Sequence, residues 1–317
     1  MKKTALLLAA LTYACGAIAQ DYPQKQVIIV VPFPAGGAVD PVSRVLASRM
    51  SELWKQPVIV VNRAGAGGNI GAESVARAAP DGHTLLFSST SLAIGPSLYT
   101  KLGFDVMRDL MPVSQVITAP NLLVIHPSLP VKTVKQLVAI AKAQPGQLTS
   151  ASAGVGSSNH LALLLFMNLS RAQIHHVPYK GAAPAVSDTV GGHAHMTFAP
   201  IPASLALVQS GRLRAIAVTS GKRGSMVPDL PTIAETLPGY DLSSWNGMLV
   251  PAGTPAAVVT RIHSTIVEAL RTPAVNDALV KASVEPLGNN PQEFSKALQS
   301  EIAKWRKVIR ESGIKPE

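Results

Sequence analysis

The sequence predicts an α/β protein built in two similar halves. Short β-branched runs such as Val27–Val31 are followed by glycine-rich turns and then by apolar residues at mixed three- and four-residue spacing. The runs are continuous rather than alternating, the pattern of strands covered on both faces of a parallel sheet. The strand, turn and helix pattern then restarts after Asn121 with no low-complexity linker before it.

In order, strand 27–31 leads through Pro32, Phe33, Pro34, Ala35, Gly36, Gly37, Ala38, Val39 and Asp40 into a helix carrying Val42, Val45, Leu46, Arg49, Met50 and Leu53. A strand over 58–61, a glycine-rich turn over 65–71, a helix through Val75 and Ala79, a Pro80, Asp81, Gly82 turn and a strand over 84–87 complete the first set. The second set begins with strand 122–125, ended by Pro127. A helix over 133–143 follows and closes at Pro145 and Gly146. Residues 150–158 read as a small-residue loop feeding a helix over 159–169. Strand 174–177 enters Pro178, Tyr179, Lys180 and Gly181, and strand 215–219 and the apolar 248–250 return the chain to the first half.

Two helices close the chain. Thr254 is the expected cap of the first, with Pro255 at its first position and Val258, Ile262, Ile266 and Leu270 on one face. Asn290, Pro291 and Glu293 open the second, whose Phe294, Leu298, Ile302, Trp305 and Ile309 form a core stripe. Lys304, Arg306, Lys307 and Arg310 sit near its negative end. The expected division is 20–120 plus 246–317 for one lobe and 121–245 for the other. Crossing strands would join them, an arrangement suited to hinge motion.

Lys2 and Lys3, an apolar stretch over 4–14 and the small residues Ala17, Ile18 and Ala19 predict a secretory signal peptide at 1–19. No later apolar run is long enough to span a bilayer, so the product is expected to be periplasmic and not integral to the membrane. Cys15, the only cysteine, falls inside that leader. Disulfides, thiolate metal sites and a cysteine nucleophile are thereby excluded from the mature chain. Lipidation of Cys15 is disfavoured by Thr12 and Tyr13 before it.

The formal net charge is +10. Scattered basic residues, 4% aromatics and export argue against nucleic acid and point to small anions. The turn after Val31 suits such a ligand, because its glycines let backbone approach closely and the following helix offers free N–H groups. The stretch over 65–71 is not a GxGxxG match, since Ile70 holds the sixth position, and no acidic residue ends the next strand for a ribose. No cofactor is expected. His193 and His195 would share one face of a strand while His175 and His176 point oppositely, which is an incomplete ligand set, so no metal is expected. With no GxSxG or SxxK signature, a catalytic serine is not indicated. The hydroxyls of Ser88, Ser89, Thr90, Ser152, Ser157 and Ser158 suit neutral hydrogen bonding to a carboxylate.

The chain resembles the Bug-type extracytoplasmic solute receptors of the tripartite tricarboxylate transporter family. The matching motifs are PFPAGG with Asp40, QPVIVVNRAGAGGNIG, PDGHTLL, AKAQPGQL, GVGSSNHLA, HVPYKGAAPA, LRAIAVTS, VPDLPT and PAGTP. The resemblance implies a two-lobed periplasmic-binding-protein fold, type II-like, each lobe a mostly parallel sheet flanked by helices. It implies a non-enzymatic receptor that closes on a small carboxylate and delivers it to transporter membrane subunits; a monomer is expected. Carried over residue by residue, Phe33, Ala35, Gly36 and Gly37 would form a carboxylate cradle, with Asp40 facing variable ligand groups. Ser152, Gly154, Gly156, Ser157 and His160 would form one opposing loop and Tyr179, Lys180, Gly181 and Ala182 the other. Leu164, the stretch Thr189 to His195, and His83 depart from the family pattern without touching the cradle. A ligand sensor for a signalling partner and an exported serine hydrolase are the alternative readings.

Overall fold

The computed structural model describes residues 22–36, 39–154, 157–179, 181–224, 226–282 and 284–312. The expected leader, with Cys15, lies outside them. The chain divides into two compact units. The first comprises the described residues up to Val116 with Asn246–Ala278 and Gly288–Glu301; the second comprises Ile117–Trp245, Leu279–Leu287 and the described residues from Ile302 onward. The second unit thus takes 279–287 and the end of the chain as well as the central segment.

The first unit opens with β1 (Val27–Val31), α1 (Asp40–Trp54), β2 (Val58–Asn62), a 3₁₀ turn (Ala66–Gly68) and α2 (Asn69–Ala76). It continues with β3 (Thr84–Ser89), α3 (Ser91–Leu98), α4 (Val106–Asp109) and the start of β4 (Leu110–Ile125). β1 pairs in parallel with both β2 and β3. Val27, Ile29 and Val31 have no exposed surface on one face and Val30 is 4% exposed on the other, as a strand covered on both faces requires. Parallel pairing brings the carboxyl ends of all three strands to one rim, where an α/β sheet takes its ligands. Gly71 explains how closely α2 packs there: a Cβ at that position would stand 2.7 Å from the Arg63 carbonyl and 2.7 Å from Pro32 Cβ. On the outer layer, Trp54 Nε1 donates to Thr265 Oγ1 at 2.9 Å and ties α1 to the later helix Ala256–Leu270.

The rest of β4 belongs to the second unit, followed by α5 (Val134–Ala143), β5 (Thr149–Ser152), α6 (Ser158–Ser170), β6 (His175–Pro178) and α7 (Ala182–Val190). Then come β7 (Met196–Pro200), α8 (Ile201–Gln209) and β8 (Arg214–Val218). β5 lies between β6 and β7, parallel to both, so three strand-to-helix junctions again share one rim. β4 runs antiparallel to β7 and β8. Strand alternation sorts the two faces. Leu122, Val124 and Ala199 pack with Val186 of α7 on one, while Phe198 meets Phe166 of α6 on the other, ring centroids 6.0 Å apart.

A 3₁₀ turn (Ile233–Glu235) precedes β9 (Ser243–Pro251), α9 (Ala256–Leu270), α10 (Pro273–Lys281), β10 (Glu285–Pro286) and α11 (Pro291–Ser312). The cap expected at Asn290 forms reciprocally: Glu293 N donates to Asn290 Oδ1 at 2.8 Å and Asn290 N to Glu293 Oε2 at 3.0 Å. Phe294, Leu298, Ile302, Trp305 and Ile309 are all buried. No described helix is long and apolar enough to cross a membrane.

The α/β fold with helix-flanked sheets is as expected; to its parallel pairs are added antiparallel ones, β9 with β3 and β4 with β7, which make the sheets mixed. Several other expectations need correction. The strand expected at 122–125 is the end of the sixteen-residue β4. Residues 150–152 are strand, not loop. Thr254 does not cap α9, since its hydroxyl donates back to the Pro251 carbonyl at 2.7 Å and Pro255 occupies the cap position. His193 and His195 precede β7 instead of lying on it, in a turn that begins beside Gly192 at φ +76°.

Candidate functional site

In the first unit the expected cradle residues gather at the rim of β1 and β3. Gly36 has φ +76°, a conformation that costs an L-residue its Cβ clearance, and nothing lies within 4 Å of where a Cβ would stand. The glycine is required by the backbone, and the space above it is open. Gly37 lies outside the described residues.

Asp40 does something different from facing a ligand. Only 4% exposed, its Oδ2 accepts from Gly36 N at 3.0 Å and Arg44 Nε at 2.9 Å, and its Oδ1 accepts from Asn62 Nδ2 at 2.9 Å. Asn62 Nδ2 also donates to the Phe33 carbonyl at 3.0 Å, and Arg44 reaches Asn62 Oδ1 at 3.0 Å. The carboxylate therefore clasps the turn from inside. The hydrogen bond from Arg44 is the chief reason its pKa falls to about 2 from an ordinary 3.8, with Gly36 and Asn62 adding to the effect. Arg44, one helical turn after Asp40, was legible as an i,i+4 partner. Asn62 carries no local signal, because only the β1–β2 register brings it across.

Around this clasp stand Ser88, fully buried at the end of β3, and Ser89, whose hydroxyl lies 3.2 Å from that of Ser91 and accepts weakly from Ser91 N at 3.4 Å. Ser88 and Ser89 pair in register with Gly247 and Asn246 of β9, and Thr90 follows at the entrance to α3. The 3₁₀ turn after β2 forms a neighbouring wall. A Cβ on Gly68 would touch the Phe33 ring at 3.4 Å, and one on Gly67 would meet the Tyr99 hydroxyl at 2.8 Å.

The second unit's expected residues also converge, at the carboxyl ends of β5 and β6. Ser157 caps α6: its hydroxyl accepts from His160 N at 3.3 Å and donates to the Gly154 carbonyl at 2.7 Å. Ser152 Oγ accepts from Gly154 N at 3.1 Å and sits 2.6 Å from His176 Nε2. Tyr179 N donates to the Ser152 carbonyl at 2.9 Å, Gly181 N to that of Ala153 at 3.3 Å, and the Tyr179 hydroxyl to Asp188. Gly154 and Gly181 both hold φ +122°, and Ala182 begins α7. Gly156 and Lys180 lie outside the described residues.

His160 stacks on His176, centroids 4.0 Å apart and planes 18° from parallel. Burial, and secondarily the neighbouring His176, lower the His160 pKa to about 4, so both rings are neutral at pH 7. Sequence reasoning singled out His160 and missed His176, which lies on β6 beside Ser152 of the adjacent β5 and stacks on His160 of α6. The contact between Ser152 and His176 has the spacing of a nucleophile and base, but Ser152 has no exposed surface. No carboxylate hydrogen bond to His176 is found among the described residues. This pair braces the loop. Among the described residues no group of three or more His, Cys, Asp or Glu side chains is placed to hold a metal ion.

Two α/β units, each with strand-end loops and helix amino ends at one rim, define the class of solute-binding receptors. The profile described as Tripartite tricarboxylate transporter family receptor, TctC, matches residues 42–314, and the chain belongs to that family. It is 38% identical to protein BugT of Bordetella pertussis over 98% of this chain and 96% of that one. Among solved structures it is similar to an R. palustris protein with adipate, at 37% identity and TM-score 0.73, covering 93% of this chain and 100% of that one. It is also similar to MatC from Rhodopseudomonas palustris with bound malate, at 30% identity and TM-score 0.69, covering 91% and 100%.

Proposed function

We propose that this chain is an extracytoplasmic receptor that binds a small carboxylate and hands it to the membrane subunits of a tripartite tricarboxylate-type transporter. The observation that carries the reading is that family relatives similar over nearly their whole length are solved with adipate and with malate, both small dicarboxylic acids. The local chemistry supports it. The first unit's turn is held by Asp40 from within, so its backbone geometry is preorganised before any solute arrives. The second unit offers the amino end of the thirteen-residue α6 and a neutral histidine pair, which favour an anion without burying an ion pair that would resist release.

On this reading Phe33, Ala35, Gly36, Gly37, Ser89 and Thr90 contact the acid from the first unit, with Ser88 buried behind them at the end of β3. Ser152, Gly154, Gly156, Ser157, His160, Tyr179, Lys180, Gly181 and Ala182 serve the second unit's rim. Asp40 acts through Gly36 and not on the solute. The protein is not an enzyme, a reading supported by the receptor family it belongs to and by the inaccessibility of Ser152. Export follows from the leader expected at 1–19. A thermal-shift screen of mono-, di- and tricarboxylates, amino acids, sugars and metal ions tests the function. At least one acid should raise the Tm, by RT ln(1 + [L]/Kd) in free energy. A response to a sugar or a metal with none to any acid would refute it.

A further inference from the structure

Two buried polar groups on the α6-facing side of the second unit's sheet, Ser150 Oγ and Asn121 Nδ2, make no hydrogen bond among the described residues, and Asn121 is the one nearer the strand ends. Asn121 is 4% exposed. Its backbone is satisfied, N donating to Thr219 Oγ1 at 2.8 Å and O accepting from Thr219 N at 2.9 Å. Its side-chain Nδ2 is covered, yet makes no hydrogen bond among the described residues. Buried amide donors in folded proteins are overwhelmingly paired, so this one needs an acceptor.

Register says where the acceptor must come from. Asn121 stands opposite Pro200 and Leu123 opposite Phe198, so all four side chains share a face. Ser150 pairs with Met196, two residues before Phe198, which puts Ser150 and Ser152 on that face as well. It is the face under α6: the Phe198 carbonyl accepts from Asn159 in the first turn of that helix, and His160 stacks on His176 nearby. Asn121 therefore lies two residue pairs beyond Phe198, toward the rim where β5 and β7 end and Ser157 starts α6. The neighbouring histidines are neutral, so the amide is an uncharged donor among uncharged donors.

We propose that Asn121 is a selectivity-determining residue of the solute site, its Nδ2–H donating to a carboxylate oxygen of the bound acid directly or through one ordered water. The inference rests on the carboxylate-receptor reading. It is tested with the full mature chain by calorimetric titration of adipate, malate and a panel of other carboxylates, alongside thermal unfolding without solute, in wild type, Asn121→Leu and Asn121→Asp. Leu removes an unpaired polar group at similar volume, so the solute-free Tm should hold or rise while Kd increases about tenfold or more. Asp puts a negative charge against the acid and should weaken binding further. A wild-type Kd in Asn121→Leu overturns the inference and leaves the receptor reading standing. A clearly lowered solute-free Tm makes Asn121 a structural hydrogen-bonder and also overturns it. If no acid binds wild type, the receptor reading falls and this inference with it.

Discussion

Asp40 and His160 show how single residues here do work that their positions in sequence only half disclose. An acid at the start of a helix reads as a ligand contact or a helix-dipole partner. In the fold its two oxygens gather Gly36, Arg44 and Asn62. Asp40→Asn should lower stability by ~1–3 kcal/mol, the usual cost of breaking a buried charge-assisted set, measured by urea unfolding at pH 7. The folded pKa lies below the ordinary 3.8, so the stability linked to Asp40 is present above about 4 and lost as pH falls toward about 2. The variant should show a shallower acid limb over that window. His160 works in the same direction at higher pH. Because its folded pKa is lowered from 6.5 to about 4, the unfolded chain takes up its proton first as pH drops. Stability is then full above 6.5 and declines down to about 4. His160→Gln should flatten that decline in unfolding curves recorded across the window, and an unchanged slope would assign it to other groups.

At the scale of elements, the glycines divide by what each one's missing Cβ would do. Gly71→Ala sets a methyl 2.7 Å from the Arg63 carbonyl and should destabilise the first unit by ~1–3 kcal/mol through overpacking, visible as a lowered denaturant midpoint. At Gly36 a Cβ would meet no atom within 4 Å, so the chief cost of Gly36→Val is the left-handed backbone, and the chain should still fold while the turn loses its shape. Gly36→Asn, which tolerates φ > 0, should retain more carboxylate affinity than Gly36→Val in calorimetry. Equal affinities would remove the turn's backbone from the site. Legibility followed the same physics. β1, α1 and the Asn290 cap were readable because β-branched runs, 3.6-residue spacing and capping chemistry are local. The part of β4 before Leu122 was not, since Pro112 and Pro120 interrupt it and proline ordinarily argues against a strand. β5 escaped because Thr149, Ser150, Ala151 and Ser152 read as turn. Small side chains suit its buried place between β6 and β7, where Ala151 packs on Ala185 and Ala194. The candidate site was legible as loops, through motif resemblance, while Asn62, His176 and Asn121 depend on strand register that no local pattern carries.

For the molecule as a whole, the formal charge, +10 for the full sequence and +8 without Lys2 and Lys3 of the expected leader (28 − 2 − 18), should matter to capture more than to retention. A dispersed positive field speeds encounter with a dianion and is screened within about 10 Å at 0.1 M salt. Stopped-flow mixing with adipate should therefore show an on-rate that falls with added salt and an off-rate that hardly moves. On the proposed reading the receptor recognises the charge of a carboxylate chiefly through neutral backbone and side-chain donors, Lys180 being the one cation among the residues assigned to the site. Paired calorimetric titrations of the best-binding diacid from the screen and of its dimethyl ester, at pH 7 and one ionic strength, test it most directly. The diacid should bind saturably, and the ester, which keeps the carbon skeleton and removes both charges, should show no detectable binding. Equal affinity for acid and ester would contradict that reading.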